Sequence, residues 1–371
     1  MSVAGPQGGE MRAILVKGGK GDLNALYIGS APVPQLKDPN EVLVRIKAFG
    51  VNRMDILQRN GQYPLPPGAP EIMGVEFSGR VVQAGSEAKS QHSGSGLSDD
   101  FKKGDEVFGL ALGGAYAEYI VVKSNLLLHK PAALSHVQAA AIPENWLTAF
   151  QALRPIANLQ PGEDVLVHAG ASGVGLAAQQ LARDFGARNV YATAGSEEKC
   201  RFCEQTAGAD KAFNYKACDW AEELAKYTCA GKTEGCADVI MDFIGASYWN
   251  SNIASLKRDG RLVIQGAMGG IKVKDGNIGP IIFKRLRIEG STLRSRTVEY
   301  QGELVQSFLK EGGLDKIIAG VSKESGVGGN DKLRPHSLVI HKVYAWEDIQ
   351  EAHREMEANK NVGKIVVTID G

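Results

Sequence analysis

The chain has 371 residues, 43% of them hydrophobic, enough to bury a large core and long enough for two domains. Lys and Arg total 42, and Asp and Glu also total 42, so the formal net charge is zero, which argues against nucleic acid or an anionic membrane as partner. No apolar run is long enough to cross a bilayer, and the opening "MSVAGPQGGE" lacks the basic and apolar regions of a signal peptide, so a cytoplasmic protein is expected.

From Met11 to about Asn125 the pattern is short and alternating. In "EVLVRIKAF", Val42, Val44 and Ile46 share one face, with Arg45 and Lys47 on the other, which predicts a half-buried strand. "FSGRVVQAG", "GDEVFGLAL" and "AYAEYIVV" repeat that style, indicating a β-rich domain, while the polar, Ser/Gly-rich run within 86–103 is predicted to be an exposed loop.

The rhythm then changes. "DVLVHA" is a buried strand and the stretch from Gly173 to Gly186 a helix, and apolar strand patterns recur every 22–27 residues, with starts near 164, 189, 211, 238, 261 and 286. Strands alternating with helices at that interval predict a doubly wound parallel sheet, and six strands suit two mononucleotide-binding halves. All five cysteines fall between Cys200 and Cys236, and Cys200 and Cys203 form a C-x-x-C inside a helical stretch. With no second close pair for zinc and no preceding strand for a redox motif, structural thiols are expected. The chain closes on an amphipathic helix carrying Trp346, Ile349 and Met356, then the strand "KIVVTID", so one domain is inserted in another.

"HAGASGVGLAA" carries Gly173-x-Gly175-x-x-Ala178, a dinucleotide fingerprint that follows a strand and opens a helix. The glycines let the backbone approach a pyrophosphate, and the helix N-terminus offers free N–H groups and a partial positive charge. A hydrolase nucleophile elbow fits poorly, because Val174 stands where the second Gly of G-x-S-x-G belongs. The second strand ends in Thr193-Ala194-Gly195-Ser196, with no acid to hold a ribose 2′-hydroxyl, and Lys199 follows in the next turn, which favours NADPH over NADH. Glu197 and Glu198 complicate that choice unless they face solvent.

The runs "GVNRMDILQRNGQYPLPPG", "GVEFSGRVVQAG", "AAAIPENWLTAFQAL", "HAGASGVG", "GASYW", "LRSR" and "IQEAHREMEANKNVGKIV" resemble the medium-chain dehydrogenase/reductase superfamily. Within it, the chain is most similar to the zeta-crystallin-like quinone oxidoreductases, in their tumour-suppressor-inducible branch. The resemblance implies a GroES-like β-rich catalytic domain (1–138), an inserted Rossmann NADPH-binding domain (139–294), a catalytic return segment (295–371), a cleft between the domains and a homodimer. It also supplies a zinc test: Asn52, Val75 and Glu144 stand in the runs where zinc alcohol dehydrogenases carry Cys, His and Cys, so no metal is expected.

Residue by residue, the resemblance implies that Ser172, Gly173, Val174 and Gly175 line the pyrophosphate. Ser196, Lys199 and Tyr215 surround the 2′-phosphate. Asn52 and Thr148 lie near the nicotinamide, Ile244 and Gly245 run along the cofactor, and Gly266, Met268, Leu293 and Asn361 edge the same groove. Tyr63, on the Pro-rich loop "NGQYPLPPG", places its hydroxyl where a quinone oxygen gathers charge, unless it merely packs on Pro64 and Pro66. Asp55 is either its partner or a helix-capping or surface residue, and His168 and His353 read as structural. The segments 86–103 and 322–336 look longer than is usual in the family. The function expected is hydride transfer from NADPH to small quinones. An NADPH-dependent enoyl or alkenal double-bond reductase, or a non-enzymatic cofactor-binding protein, are the alternatives.

Overall fold

The computed structural model describes residues 9–90, 100–229, 235–324 and 336–369. The centres of the two segments singled out above, 91–99 and 325–335, lie outside them. Two units form: Met1–Leu147 with Arg294–Gly371, and Thr148–Leu293.

In the first unit, β1 (Glu10–Val16) and β2 (Leu26–Pro32) make an antiparallel ribbon. The chain continues through β3 (Glu41–Val51), helix α1 (Arg53–Arg59), β4 (Glu76–Ala84), β5 (Glu106–Leu110), β6 (Tyr119–Lys123) and β7 (Leu127–His129). As the alternation predicts, Val42, Val44 and Ile46 are buried and Arg45 is exposed. Ser135 caps α2 (His136–Ala140) by accepting from the Gln138 N–H, and α3 (Pro143–Gln151) follows. The sequence places the domain boundary at 139. The units divide nine residues later because Ala140 and Ala141 pack against Ala48 and Val366 of the first unit.

The second unit alternates strand and helix. Its elements are β8 (Asp164–Val167), α4 (Gly173–Asp184), β9 (Asn189–Ala194), α5 (Glu197–Phe202), β10 (Lys211–Asn214), α6 (Trp220–Cys229), β11 (Ala237–Asp242), α7 (Trp249–Ser255), β12 (Leu256–Ile264), α8 (Gly279–Phe283) and β13 (Arg287–Gly290). The parallel sheet runs β10-β9-β8-β11-β12-β13, two halves joined at β8 and β11, where chain order reverses. Every residue of β8 is buried, as a strand covered on both faces requires. Leu166, Leu224, Ile240, Ile253 and Leu262 form the centre of this core.

The chain then returns to the first unit with α9 (Val298–Lys310), α10 (Gly313–Glu324), β14 (Ile340–Ala345), α11 (Ile349–Glu357) and β15 (Lys364–Thr368). β15 pairs antiparallel with β3, completing a sheet ordered β14-β15-β3-β4-β5-β7, with β6 also on β3. Phe49, Phe77, Tyr116, Trp346 and Val367 anchor its core. Among the described residues no helix is long and apolar enough to cross a membrane.

Candidate functional site

In the second unit the Gly-rich turn joins β8 to α4. Ser172 caps the helix, accepting from the Gly175 N–H at 3.0 Å, so Ser172, Gly173, Val174 and Gly175 all sit at the helix start. A Cβ on Gly175 would overlap the carbonyl of Ala169 and approach the Gly170 oxygen to 2.8 Å. The turn is therefore wound too tightly for a side chain, and backbone N–H groups are what it presents.

Beside it, β9 ends at Gly195 and Ser196. Ser196 caps α5 by accepting from the Lys199 N–H, and the Tyr215 hydroxyl lies 2.7 Å from where a Cβ on Gly195 would stand. Ser196, Lys199 and Tyr215 are thus brought together at the carboxyl ends of β9 and β10. Glu197 and Glu198 are both exposed, and Glu197 accepts from the Asn214 amide, so no acid takes the ribose-binding position.

Two further turns, after β11 and β12, are laced together. The Met268 N–H donates to Phe243 O, Gly269 N–H to Ile244 O and Ala246 N–H to Gly270 O, which gathers Ile244, Gly245, Gly266 and Met268. Asp242 ties the first turn from inside, accepting from the Ile244 and Gly245 N–H groups and from Asn252 Nδ2. Asn252 Oδ1 accepts from His168 Nε2, and His168 Nδ1 accepts from Thr193, so His168 is a neutral strut across three strand ends. Burial pushes His168 down to about 4 and Asp242 up to about 6. Thr148 accepts through its carbonyl from Gln265, and Leu293 is buried. These fixed turns, with no acid at the ribose-binding position after β9, fit a dinucleotide carrying a 2′-phosphate.

In the first unit Asn52 heads α1 and is almost completely buried. Its Nδ2 donates to Glu76 Oε1 at 2.8 Å, its Oδ1 accepts from Lys364 Nζ at 2.6 Å, and its own N–H donates to Asp55 Oδ2. Lys364 is ion-paired with Glu76 and reaches Asn145 Oδ1, and Glu76 Oε2 accepts the Glu144 N–H. Asn52 is therefore a held member of a buried network, both ends of its amide engaged. A zinc ion does not fit here. The amides, carboxylate and ammonium already satisfy one another, with no thiolate or imidazole among them. Among the described residues no group of three His, Cys, Asp or Glu is placed to hold a metal.

Asp55 is wholly buried, and it is the helix cap rather than a surface group. A directional chain reaches it: Arg59 Nη1 can only donate, so His353 Nδ1 accepts, His353 Nε2 donates to Tyr116, and the Tyr116 hydroxyl donates to Asp55 Oδ2 at 3.1 Å. Burial pushes Asp55 up to about 6, while the Asn52 N–H, Arg294, Tyr116 and Lys364 pull it back. Its Oδ1 has no partner.

Tyr63 lies half-buried on the loop after α1, and the Arg294 guanidinium sits 5.5 Å from its ring centroid. Arg294 is itself buried, its Nε donating to Leu112 O and its Nη1 to Gln58 Oε1, both at 2.7 Å. Asn361 is a turn residue, its Nδ2 donating to Gly363 O at 2.9 Å. Sequence reasoning missed Glu76, Asn145, Arg294 and Lys364. The signal for one of them, Glu76, was a charge on a strand that otherwise reads as buried.

Residues 38–132 match the alcohol dehydrogenase GroES-like domain, and residues 173–310 match the family described as zinc-binding dehydrogenase. Human quinone oxidoreductase is 32% identical over 342 residues, 92% of each chain. The Danio rerio synaptic vesicle membrane protein VAT-1 homolog is 29% identical over 91% of this chain, which spans 66% of that protein. The crystal structure of Escherichia coli quinone oxidoreductase complexed with NADPH superimposes with a TM-score of 0.76 at 29% identity, covering 96% of this chain and 99% of that one.

Proposed function

Because the chain belongs to the medium-chain dehydrogenase/reductase superfamily, we propose that it is a zinc-independent NADPH:quinone oxidoreductase. The observation that carries this reading is the Tyr63 hydroxyl, which has no hydrogen-bond partner among the described residues and lies on a ring backed by a buried cation, in a unit where Asn52, at one of the zinc positions, is held by Lys364 and Glu76. The acid-free end of β9 supports NADPH as the cofactor, and the complex of the Escherichia coli relative agrees with it.

In this reading Ser172 to Gly175 hold the pyrophosphate and Ser196, Lys199 and Tyr215 the 2′-phosphate, while Ile244, Gly245, Gly266 and Met268 border the rest of the cofactor. Bound there, NADPH supplies the hydride. Asp242 keeps the Ile244–Gly245 turn in shape, and Thr148, Leu293 and Asn361 line rather than react. Asn52 is held by Lys364 and Glu76 so that α1 starts at a fixed point, and the loop after α1 carries Tyr63. The Tyr63 hydroxyl donates a hydrogen bond to the acceptor oxygen as negative charge develops, the chemistry of a preorganised oxyanion donor. A cytoplasmic location and a homodimer belong to the same proposal, the latter supported by Ile278, Ile282 and Phe283, each more than half exposed on the second unit.

Oxidation of NADPH and NADH with ortho- and para-quinones, beside an enone, tests the reading in wild type and Tyr63→Phe. Quinone-dependent oxidation of NADPH, weak with NADH and lowered about 10²-fold in the Phe variant, is the expected result. Turnover of the enone alone, to a saturated product, would move the chain to the double-bond reductases. Cofactor oxidation that no acceptor accelerates would favour a non-enzymatic role.

A further inference from the structure

Arg294 is nearly inaccessible, with 2% of its surface exposed, yet its hydrogen bonds all go to neutral oxygens and its Nη2 has no partner. A buried guanidinium is ordinarily matched by a carboxylate, because an unmatched charge is costly to desolvate. Asp55, the carboxylate whose charge it feels, also leaves one oxygen unpartnered. The positive charge is thus held in place with no carboxylate hydrogen-bonded to it. What lies over it is Tyr63.

The way Arg294 is held fixes that relationship. Gln58 on α1 accepts from Nη1 and donates from its own amide to Glu71 O, so one side chain ties both the guanidinium and the far end of the Tyr63 loop. Leu112 O holds Nε from the opposite side, and a Cβ on Gly113 would come within 3.1 Å of Nη2. The guanidinium plane cannot swing away without breaking these contacts.

We propose that Arg294 is the positioning residue of this site, holding the Tyr63 ring by one face and biasing its hydroxyl to give its proton to an acceptor that becomes an oxyanion on reduction. This rests on the reductase reading and deepens it: the acceptor is a conjugated dicarbonyl of the quinone type, whose reduction places negative charge on an oxygen that the Tyr63 hydroxyl can protonate. Hydride from NADPH adds to the quinone, which gains two electrons and becomes a hydroquinone monoanion, while the cofactor is oxidised to NADP+. The Tyr63 O–H bond breaks, its proton forms the second O–H bond of the hydroquinone, and water returns a proton to the tyrosinate. A cation on one ring face stabilises the tyrosinate and the product anion alike.

Burial raises the Tyr63 hydroxyl above the usual tyrosine range, Arg294 draws it down, and Glu144 and Asp55 push it up. Arg294 is therefore the one facing charge that works toward proton release.

The test is a titration of Tyr63 by carbon NMR of tyrosine-labelled protein, with the signal assigned by its loss in Tyr63→Phe. Arg294→Met is expected to titrate at higher pH than wild type, and Arg294→Lys, which keeps charge without the flat fork, in between. In the same variants, kcat for a para-quinone is expected to fall about tenfold in Met and to recover partly in Lys, with little change in KM for NADPH. The double variant Arg294→Met/Tyr63→Phe is expected to be no slower than Tyr63→Phe. Should the Met variant not fold, Gln58→Ala frees the guanidinium and is expected to raise the Tyr63 titration and lower kcat. An unmoved Tyr63 titration, or independent multiplying rate losses in the double variant, overturns the proposal. Absence of quinone turnover in wild type would overturn the reductase reading instead, and the titration still decides whether Arg294 governs Tyr63.

Discussion

Lys364 sets its ammonium against Glu76, and the room both occupy is the room a side chain at Gly50 would need: a Cβ there would overlap the Glu76 carboxylate and lie 2.6 Å from Lys364 Cε. Glu76 is fully buried and Lys364 is 3% exposed. Removing one partner leaves the other as an unpaired buried charge, which costs about 3–5 kcal/mol. Lys364→Met is therefore expected to lose that much unfolding free energy in urea, and Gly50→Ala to be destabilised by the same overlap. Adding Glu76→Gln to Lys364→Met is expected to restore part of the loss. Additive losses in the double variant would mean that the two side chains do not depend on each other.

Gly175→Ala tests the cofactor turn. The new methyl would strike the carbonyls of Ala169 and Gly170, so the turn must open and its N–H groups lose their common focus. NADPH affinity, followed by quenching of protein fluorescence, is expected to weaken by about 1–2 kcal/mol, roughly 5- to 30-fold. The thermal midpoint shows whether the unit still folds. Unchanged affinity would remove the pyrophosphate from this turn.

How much of this was legible before the fold depended on distance along the chain. The doubly wound sheet was readable because its signals are local: "DVLVHA" to "LRIEG" repeat an apolar strand at near-constant spacing, and the Gly-rich turn lies directly between one strand and one helix. Ser196 and Lys199 drew notice because they follow an acid-free strand end, whereas Tyr215 entered through the family resemblance; the parallel pairing of β9 and β10 is what sets Tyr215 beside Gly195. The polar network of the first unit was not. Asn52 meets Lys364 across 312 positions, and Arg294 meets Gln58 across 236. Lys364 opens a strand and reads as its solvent end, and Arg294 belongs to the short polar run "LRSR", where no periodicity marks a buried side. A charge is buried there only because a partner arrives from elsewhere, and that is tertiary information.

Cys200 and Cys203 are predicted to be unreactive in the folded protein. Both are buried, and burial pushes their thiols up to about 11 and about 12, with Glu197 and Glu204 adding to the effect on Cys200 and the Cys200 thiol on Cys203. The thiolate is the nucleophile, and at pH 8 it amounts to about one part in a thousand or less. Peptide mapping after brief exposure to an alkylating reagent is expected to find neither modified until denaturant is added. Prompt labelling of Cys203 in native protein would contradict the buried placement beneath Gly170.

The His168–Asn252–Asp242 strut predicts opposed pH dependences. His168 is held at about 4 against an unfolded value near 6.5, so as pH falls from about 6.5 to 4 the unfolded chain binds a proton the folded one refuses, and stability is lost. Asp242 is raised to about 6 against an ordinary 3.8, so its contribution is full below about 4 and is lost as pH rises through 6. Between pH 6 and 4 each acts with a slope of about 1.4 kcal/mol per pH unit and opposite sign, so in the wild type they largely cancel. His168→Asn removes the acid-labile member, and its unfolding free energy is expected to rise from pH 6.5 to 5 relative to wild type. Asp242→Asn removes the other, and its stability is expected to fall over the same interval. Both variants are weaker than wild type at neutral pH, because each leaves Asn252 short of a partner. The discriminating quantity is the slope, measured by urea unfolding at several pH values. Parallel slopes in all three proteins would show that neither group carries its shifted titration in the folded state.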